Sequence, residues 1–173
     1  MASRSHRSAR ILTPPEPAPG DADTSAQKLA QKLAHQLARG VARTLGDLGY
    51  ASLFEFTLRS GRRVDVMAIE AGGEIVIVEI KTSLEDFRSD SKWPEYLEFC
   101  DRFFFAVPEG FPSEILPEDC GLMIADAYGA SILREAPALG LNGSRRRAQV
   151  LRFALAAAQR LNRLIDPHGM GPR

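Results

Sequence analysis

Three ionisable residues stand where β-strands are expected to be apolar: Asp65 in the run 63–70, and Glu79 and Lys81 at the end of the run 74–81. If Ala71-Gly72-Gly73 is a three-residue turn between these runs, Glu70 faces Glu74, and stepping five residues back along each strand sets Asp65 opposite Glu79. Direct cross-strand neighbours have Cβ atoms about 4.5–5.5 Å apart. Lys81 lies two residues past Glu79 and projects from the same face. Adjacent carboxylates repel each other, and a divalent cation is the economical way to offset that. Mg2+ takes oxygen ligands and often uses only one or two carboxylates, leaving water and substrate phosphate to complete its shell. Such an ion polarises a phosphoryl oxygen and lowers the pKa of bound water. A lysine beside it stabilises the negative charge that builds up in the transition state. Asp, then Glu-Xaa-Lys on the next strand, is sufficient equipment for metal-dependent phosphodiester hydrolysis. The competing reading is an ordinary ion pair of Lys81 with Asp65 or Glu79 at a strand end, and a one-residue slip in register would carry Asp65 to the other face.

The elements around these residues must position them. Residues 27–46 read as a helix, because Leu29, Leu33, Leu37, Val41 and Leu45 recur every four residues, with Lys28, Lys32, His35, Arg39 and Arg43 on the opposite side. After Gly49 the pattern changes to strands at 53–58 and 63–70, ended by Ser60-Gly61 and by the Ala71-Gly72-Gly73 turn. The run 74–81 is apolar on both faces, as a central, doubly covered strand would be. A helix follows over about 91–100, with Pro94 in its first turn. Next come a strand at 102–107 and two short strands at 121–125 and 131–133 around Tyr128-Gly129. A final helix spans about 144–165, its apolar side formed by Leu151, Ala154, Leu155, Ala158, Leu161 and Ile165, with Arg145, Arg152, Arg160 and Arg163 on the far side. This order predicts a single α/β domain over 25–166, with a central mixed sheet flanked by helices. Residues 1–24 are proline-rich with almost no large apolar side chains and read as a disordered arm; 167–173 read as a disordered tail.

At 45% hydrophobic and 25% charged, the 173-residue chain suits one soluble globule and is too apolar for wholesale disorder. Apolar runs such as 103–107 fall far short of a membrane span, and the N-terminus lacks the apolar core of a signal peptide. Cys100 and Cys120 form no metal-type pair, so a reduced, cytoplasmic protein is the expectation. There is no phosphate-binding Gly-rich loop, no Gly-Xaa-Ser-Xaa-Gly and no zinc spacing. His6, His35 and His168 fall in a tail, a basic helix face and another tail, which argues against histidine chemistry. A net charge of zero hides an asymmetry: residues 144–173 hold seven arginines and one acid, against an acidic centre. A basic end of this kind suggests contact with a polyanion.

Arg63-Val64-Asp65 followed by Ile77-Val78-Glu79-Ile80-Lys81 resembles the PD-(D/E)XK nuclease core found in many restriction enzymes and Holliday-junction resolvases. The longer string of Glu79-Ile80-Lys81-Thr82-Ser83, Asp86-Phe87-Arg88, Lys92-Trp93-Pro94-Glu95-Tyr96 and Cys100-Asp101-Arg102 resembles the bacterial MmcB-type DNA-repair endonucleases, over about Leu37 to Leu161. The resemblance implies a restriction-endonuclease-like fold and Mg2+- or Mn2+-dependent endonuclease activity in DNA repair. Asp65 and Glu79 would be metal ligands, with Ile80 also in the metal shell and Lys81 as the catalytic lysine. The motif's nominal proline is absent, since Val64 precedes Asp65.

Related nucleases often carry another glutamate on the first helix, but 27–46 contains no acid, and Glu55 is the nearest substitute. If Ser60-Gly61 is a two-residue turn, Phe56 faces Asp65; if the loop is Arg59-Ser60-Gly61, Glu55 does. Lys92 and Tyr96, four apart on the expected helix, could reach a phosphate next to the metal, whereas Trp93 suits the core. Lys32, Arg39 and Arg43 on the first helix and Arg145, Arg152, Arg160 and Arg163 on the last, with Lys28, Arg146 and Arg147, are candidate contacts to the DNA backbone. Such contacts hold DNA without reading sequence and weaken steeply with salt. The alternatives are a non-catalytic nuclease-fold DNA-binding protein and a repair factor that needs a protein partner. Resolvase-like relatives are often homodimers, yet no self-complementary surface is legible here.

Overall fold

An apolar residue at every fourth position makes α1 (Pro19–Asp47) a long helix with one buried edge: Leu37, Val41 and Leu45 are 0–2% exposed. The computed structural model describes residues 19–169, with side chains from residue 25 onward. The helix is already present at Pro19, the first described residue, ahead of Gln27, so the end of the expected arm is helical; residues 1–18 of that arm lie outside the described residues. It stops at a glycine. Gly49 takes φ +90° and its N–H reaches Gly46 O, while Tyr50 N–H reaches Leu45 O at 2.9 Å, the paired bonds of a Schellman end.

Six strands follow in chain order across one sheet: β1 (Ala51–Thr57), β2 (Arg63–Ile69), β3 (Ile75–Ile80), β4 (Arg102–Val107), β5 (Gly121–Ala125) and β6 (Ala130–Arg134). The first three pair antiparallel, β3–β4–β5 are parallel, and β6 returns antiparallel to β5. All six residues of β3 are buried, as its unbroken apolar run predicts for a strand covered on both faces. α1 covers one face, over Val66, Ala68, Val76, Val78, Phe104 and Met123. The β3–β4 and β4–β5 crossovers cover the other, over Ile75, Ile77, Phe103 and Phe105. The result is an α/β fold with a mixed sheet flanked by helices, a restriction-endonuclease-like core.

The β3–β4 crossover departs from the sequence expectation. It holds a short helix that periodicity does not reveal, α2 (Leu84–Ser89), started by Ser83 Oγ accepting from Asp86 N–H at 3.1 Å. The helix expected over 91–100 is a 3-10 helix, Trp93–Phe99. Trp93 pins it to the sheet by stacking on Phe103 at 5.7 Å and meeting Phe105 edge-on at 5.4 Å.

α3 (Gly143–Ile165) is also turned from its expected orientation. Leu151, Leu155, Leu161 and Ile165 on its apolar side are 54–73% exposed. The face that docks carries Gln149, Arg152, Phe153, Ala156 and Arg160. The reason is the surface it meets. β1 is an edge strand whose carbonyls face outward, and Arg152 donates to Thr57 O at 3.2 Å while Arg160 donates to Phe54 O at 2.5 Å and Glu55 O at 3.0 Å. Covering the edge in this way satisfies groups that would otherwise invite another strand. Residues 167–169 form a turn after α3, and 170–173 of the expected tail lie outside the described residues.

One close approach fixes α1 on the sheet. A Cβ at Gly40 would sit 2.1 Å from Asp126 O and 2.6 Å from Gly129 O, whereas one at Gly46 would meet nothing within 4 Å. Gly40→Ala is therefore expected to destabilise by about 1–3 kcal/mol through overpacking against backbone. Gly46→Ala is expected to stabilise slightly, by about 0.5–1 kcal/mol. Thermal melts of the two variants check the contrast; equal shifts would refute this packing.

Candidate active site

The β2–β3 turn is the three-residue loop expected from Ala71-Gly72-Gly73: Gly73 has φ +89° and Glu70 N–H bonds to Glu74 O at 3.2 Å. The ladder runs Ile69↔Ile75, Ala68↔Val76, Met67↔Ile77 and Val66↔Val78, so the next pair in register is Asp65 with Glu79. There the strands part. Regular pairing would give Ile80 N–H the Val64 carbonyl; instead it donates to Asp65 Oδ2 at 2.7 Å. The Asp65 carboxylate thus replaces a backbone carbonyl in the ladder. Val64 and Val66, which a regular strand would point to one face, lie in opposite cores.

The β1–β2 loop settles the position of Glu55. Leu58 N–H bonds to Arg62 O at 2.7 Å around Arg59-Ser60-Gly61, and Phe54↔Val66 and Phe56↔Val64 bracket Glu55 opposite Asp65. Glu55 itself is outside the ladder, with φ +48°. A non-glycine residue held in the left-handed region costs about 1–3 kcal/mol, which its surroundings must supply. Here Arg63 pairs with the Glu55 side chain at 2.7 Å and Arg160 binds its carbonyl.

Lys81 sits between two acids, with Nζ 3.3 Å from Glu79 Oε1 and 2.6 Å from Asp90 Oδ2; the lysine side chain is 4% exposed. Burial alone would push this ammonium down, but the Glu79 charge and the Asp90 hydrogen bond outweigh burial and raise it above the ordinary lysine value. Lys81 is therefore held as a cation between its two acids. Glu79 goes the other way: burial, then the Asp65 charge, raise its carboxyl to about 8 despite Lys81. Asp65 is also raised, chiefly by burial, with the Ile80 amide and Lys81 opposing. Burial, followed by the Glu79 and Asp90 charges, raises the Tyr96 phenol to about 12.

One atom is left over. Glu79 Oε2 is buried with no hydrogen-bond partner. An orphaned carboxylate oxygen next to a second carboxylate is the donor set a hard cation uses. Among the described residues no three His, Cys, Asp or Glu side chains gather into a ready-made metal cage.

The family model for DNA repair protein MmcB-like matches residues 21–168. The chain belongs to that family. A solved structure, the SPO1766 protein of unknown function from Silicibacter pomeroyi, is 50% identical to this MmcB-like chain, covering 80% of it and 94% of the solved chain with a TM-score of 0.76. No curated protein matches the chain. No helix among the described residues is long and apolar enough to cross a membrane.

The remaining sequence-predicted residues separate into two groups. In this MmcB-like chain Lys28, Lys32, His35 and Arg39 form one exposed row on α1, and Arg147 and Arg163 are exposed on α3. The others are engaged in holding the fold. Arg43 bonds to Ala127 O, Arg145 pairs with Glu98 at 3.4 Å, and Arg152 and Arg160 bind β1 carbonyls. Arg146 clamps the buried Asp101 with both guanidinium nitrogens and reaches Gly73 O at 2.8 Å, anchoring α3 to the β2–β3 turn. The shared helix face expected for Lys92 and Tyr96 does not exist, because a 3-10 helix separates residues four apart: Lys92 is exposed and Tyr96 is buried. Asp90 joins the site and was not singled out by sequence as the partner of Lys81. α2 and the bend after it bring it back over β3, and Lys92 N–H fixes its other oxygen at 2.8 Å.

Proposed function

We propose that this protein is a metal-dependent DNA endonuclease of the PD-(D/E)XK type, hydrolysing phosphodiester bonds in DNA repair. The observation that carries the reading is the convergence of Asp65, Glu79 and Lys81 where β2 leaves β3, with one Glu79 oxygen buried and unpartnered. Membership of a DNA-repair family supports DNA as the substrate.

Asp65 and Glu79 would hold Mg2+ or Mn2+, with Ile80, next to Glu79, and Glu55, opposite Asp65, in the surrounding shell. When bound, the ion would polarise the scissile phosphate and acidify a water. Lys81 stays protonated, so its part is electrostatic: it offsets charge accumulating on the phosphoryl oxygens, in a buried setting where that effect is strong. Asp90 keeps the ammonium in place. The Trp93, Phe103 and Phe105 rings pack against one another beside the sheet. The α1 row of Lys28, Lys32 and Arg39 would bind flanking phosphates without reading bases.

The test is cleavage of branched, mismatched, flapped and single-stranded DNA with Mg2+ or Mn2+, wild type against Asp65→Asn. Asparagine keeps an acceptor for Ile80 N–H, so the fold is expected to survive while cleavage falls by about 100-fold or more. Undiminished cutting by the folded variant would place the activity elsewhere. DNA binding without cleavage by the wild-type chain on every substrate would favour the non-catalytic reading.

A further inference from the structure

The cavity beside Asp65 is built for something other than a phosphate. It has a volume of about 260 Å³ and lies between α1 and β1, walled by Ala34, Ala38, Phe54 and Ile80. A phosphate would gain nothing from such walls, since its hydration would be lost without compensation. The polar groups stand around them: His35 and Arg39 from the α1 basic row, and Glu55 and Asp65 from the strands.

Two features make this a cavity at all. Successive residues of a regular strand point to opposite faces, yet Phe54 and Glu55 both line it. The left-handed Glu55 permits this, by breaking the alternation opposite Asp65. On α1, Ala34 and Ala38 are one turn apart and leave the space that larger side chains would fill. Phe54 is 38% exposed, so an apolar ring is presented to whatever enters. The space falls just below the usual size of a ligand pocket, enough for one flat heterocycle and too small for a base pair or a peptide segment.

Resting on the endonuclease reading above, we propose that this cavity receives a single unstacked nucleobase of the DNA strand being cut, so that the substrates are DNAs in which a base is unpaired. Phe54 supplies the stacking surface. Arg39 and His35 hold the backbone at the entrance, continuing the row from Lys28 and Lys32. Asp65 then lies next to the nucleotide whose base is held. A base already free of its partner enters without the cost of unpairing, which makes the cavity a selector for damaged or irregular DNA.

The experiment measures binding in EDTA, where no cutting occurs. Three otherwise identical labelled DNAs are compared: a fully paired duplex, one with a single unpaired adenine, and one with an abasic residue in the adenine's place. Wild type is expected to bind the unpaired adenine about tenfold more tightly than the abasic DNA, as base–aromatic stacking provides. Phe54→Ala and the cavity-filling Ala34→Leu are each expected to bring that ratio close to one. Lys32→Ala is expected to weaken both DNAs alike and leave the ratio intact. DNA binding with a wild-type ratio of one, or with a ratio unmoved by both cavity variants, overturns the pocket and leaves the endonuclease reading standing. No binding to any DNA overturns both. A ratio that responds as expected in a chain that never cleaves supports the pocket and refutes only the catalytic reading.

Discussion

Lys81→Met is expected to cost the folded protein about 3–5 kcal/mol near neutral pH, the usual penalty for removing one partner from a buried charge cluster. It is also expected to lower cleavage by about 100- to 1000-fold. The stability loss follows from the surroundings: with the ammonium gone, Glu79 and Asp90 face each other across a site whose side chains are 9% and 13% exposed. Glu79 can stay protonated, but Asp90 is held below the usual carboxylate value. Burial would raise it, and the Lys81 hydrogen bond, the Lys92 amide and the lysine charges outweigh that.

The pH dependence has a definite sign. Because the folded pKa of Asp90 is depressed, its contribution is present above the unfolded value and is lost as pH falls through the folded one. Lys81 is raised, so its contribution is present below the ordinary lysine value and is lost only in strong alkali. The gap between wild type and Lys81→Met is therefore expected to be full from about pH 5 to 7, below the Glu79 titration, and to narrow below about pH 4. Urea titrations at pH 7.5 and pH 3.5 measure it, and coincident midpoints at pH 7.5 would show that Lys81 is not the counter-ion described here. Asp90→Asn is expected to cost less, about 1–3 kcal/mol, because asparagine keeps an oxygen that accepts from the Lys81 ammonium.

What the sequence discloses follows from how local each determinant is. The β2–β3 hairpin was readable because a Gly-Gly turn and two apolar runs set the register by counting. The same counting left Glu55 open, since one loop residue decided it, and nothing in the string Phe54-Glu55-Phe56 announces a left-handed glutamate. α1 was readable from its four-residue spacing. The same periodicity in α3 identified an apolar row correctly but not its direction, because the edge of β1 offers carbonyls and so takes the arginines. Asp90 was opaque for a different reason: α2 and the 3-10 helix are too short to carry a period, and only their combined bend returns Asp90 to Lys81. Residues set by one turn were legible; those set by packing against an edge or by two short helices were not.

Glu79→Gln is expected to remove cleavage while making the protein more stable. The Glu79 carboxyl is raised to about 8 by burial first and the Asp65 charge second, with Lys81 only partly compensating. A carboxyl raised in the folded state stabilises folding below its unfolded value of 4.5, and that contribution is lost as pH rises towards about 8. Glutamine carries no such charge, keeps an oxygen for Lys81, and leaves no ionised group to bury. The variant is therefore expected to match wild type near pH 4.5 and to exceed it increasingly up to about pH 8.5. A gain of roughly 1 kcal/mol or more would appear as about 2–4 °C in Tm for a chain of this size. Saturating Mg2+ is expected to raise the wild-type Tm at pH 8, by binding only the folded state, and to release a proton as it does so. Neither effect is expected in Glu79→Gln. Parallel Tm-against-pH curves for the two proteins would mean that Glu79 is not the strained acid of the site. A metal-induced rise that survives the substitution would place the ion on other ligands.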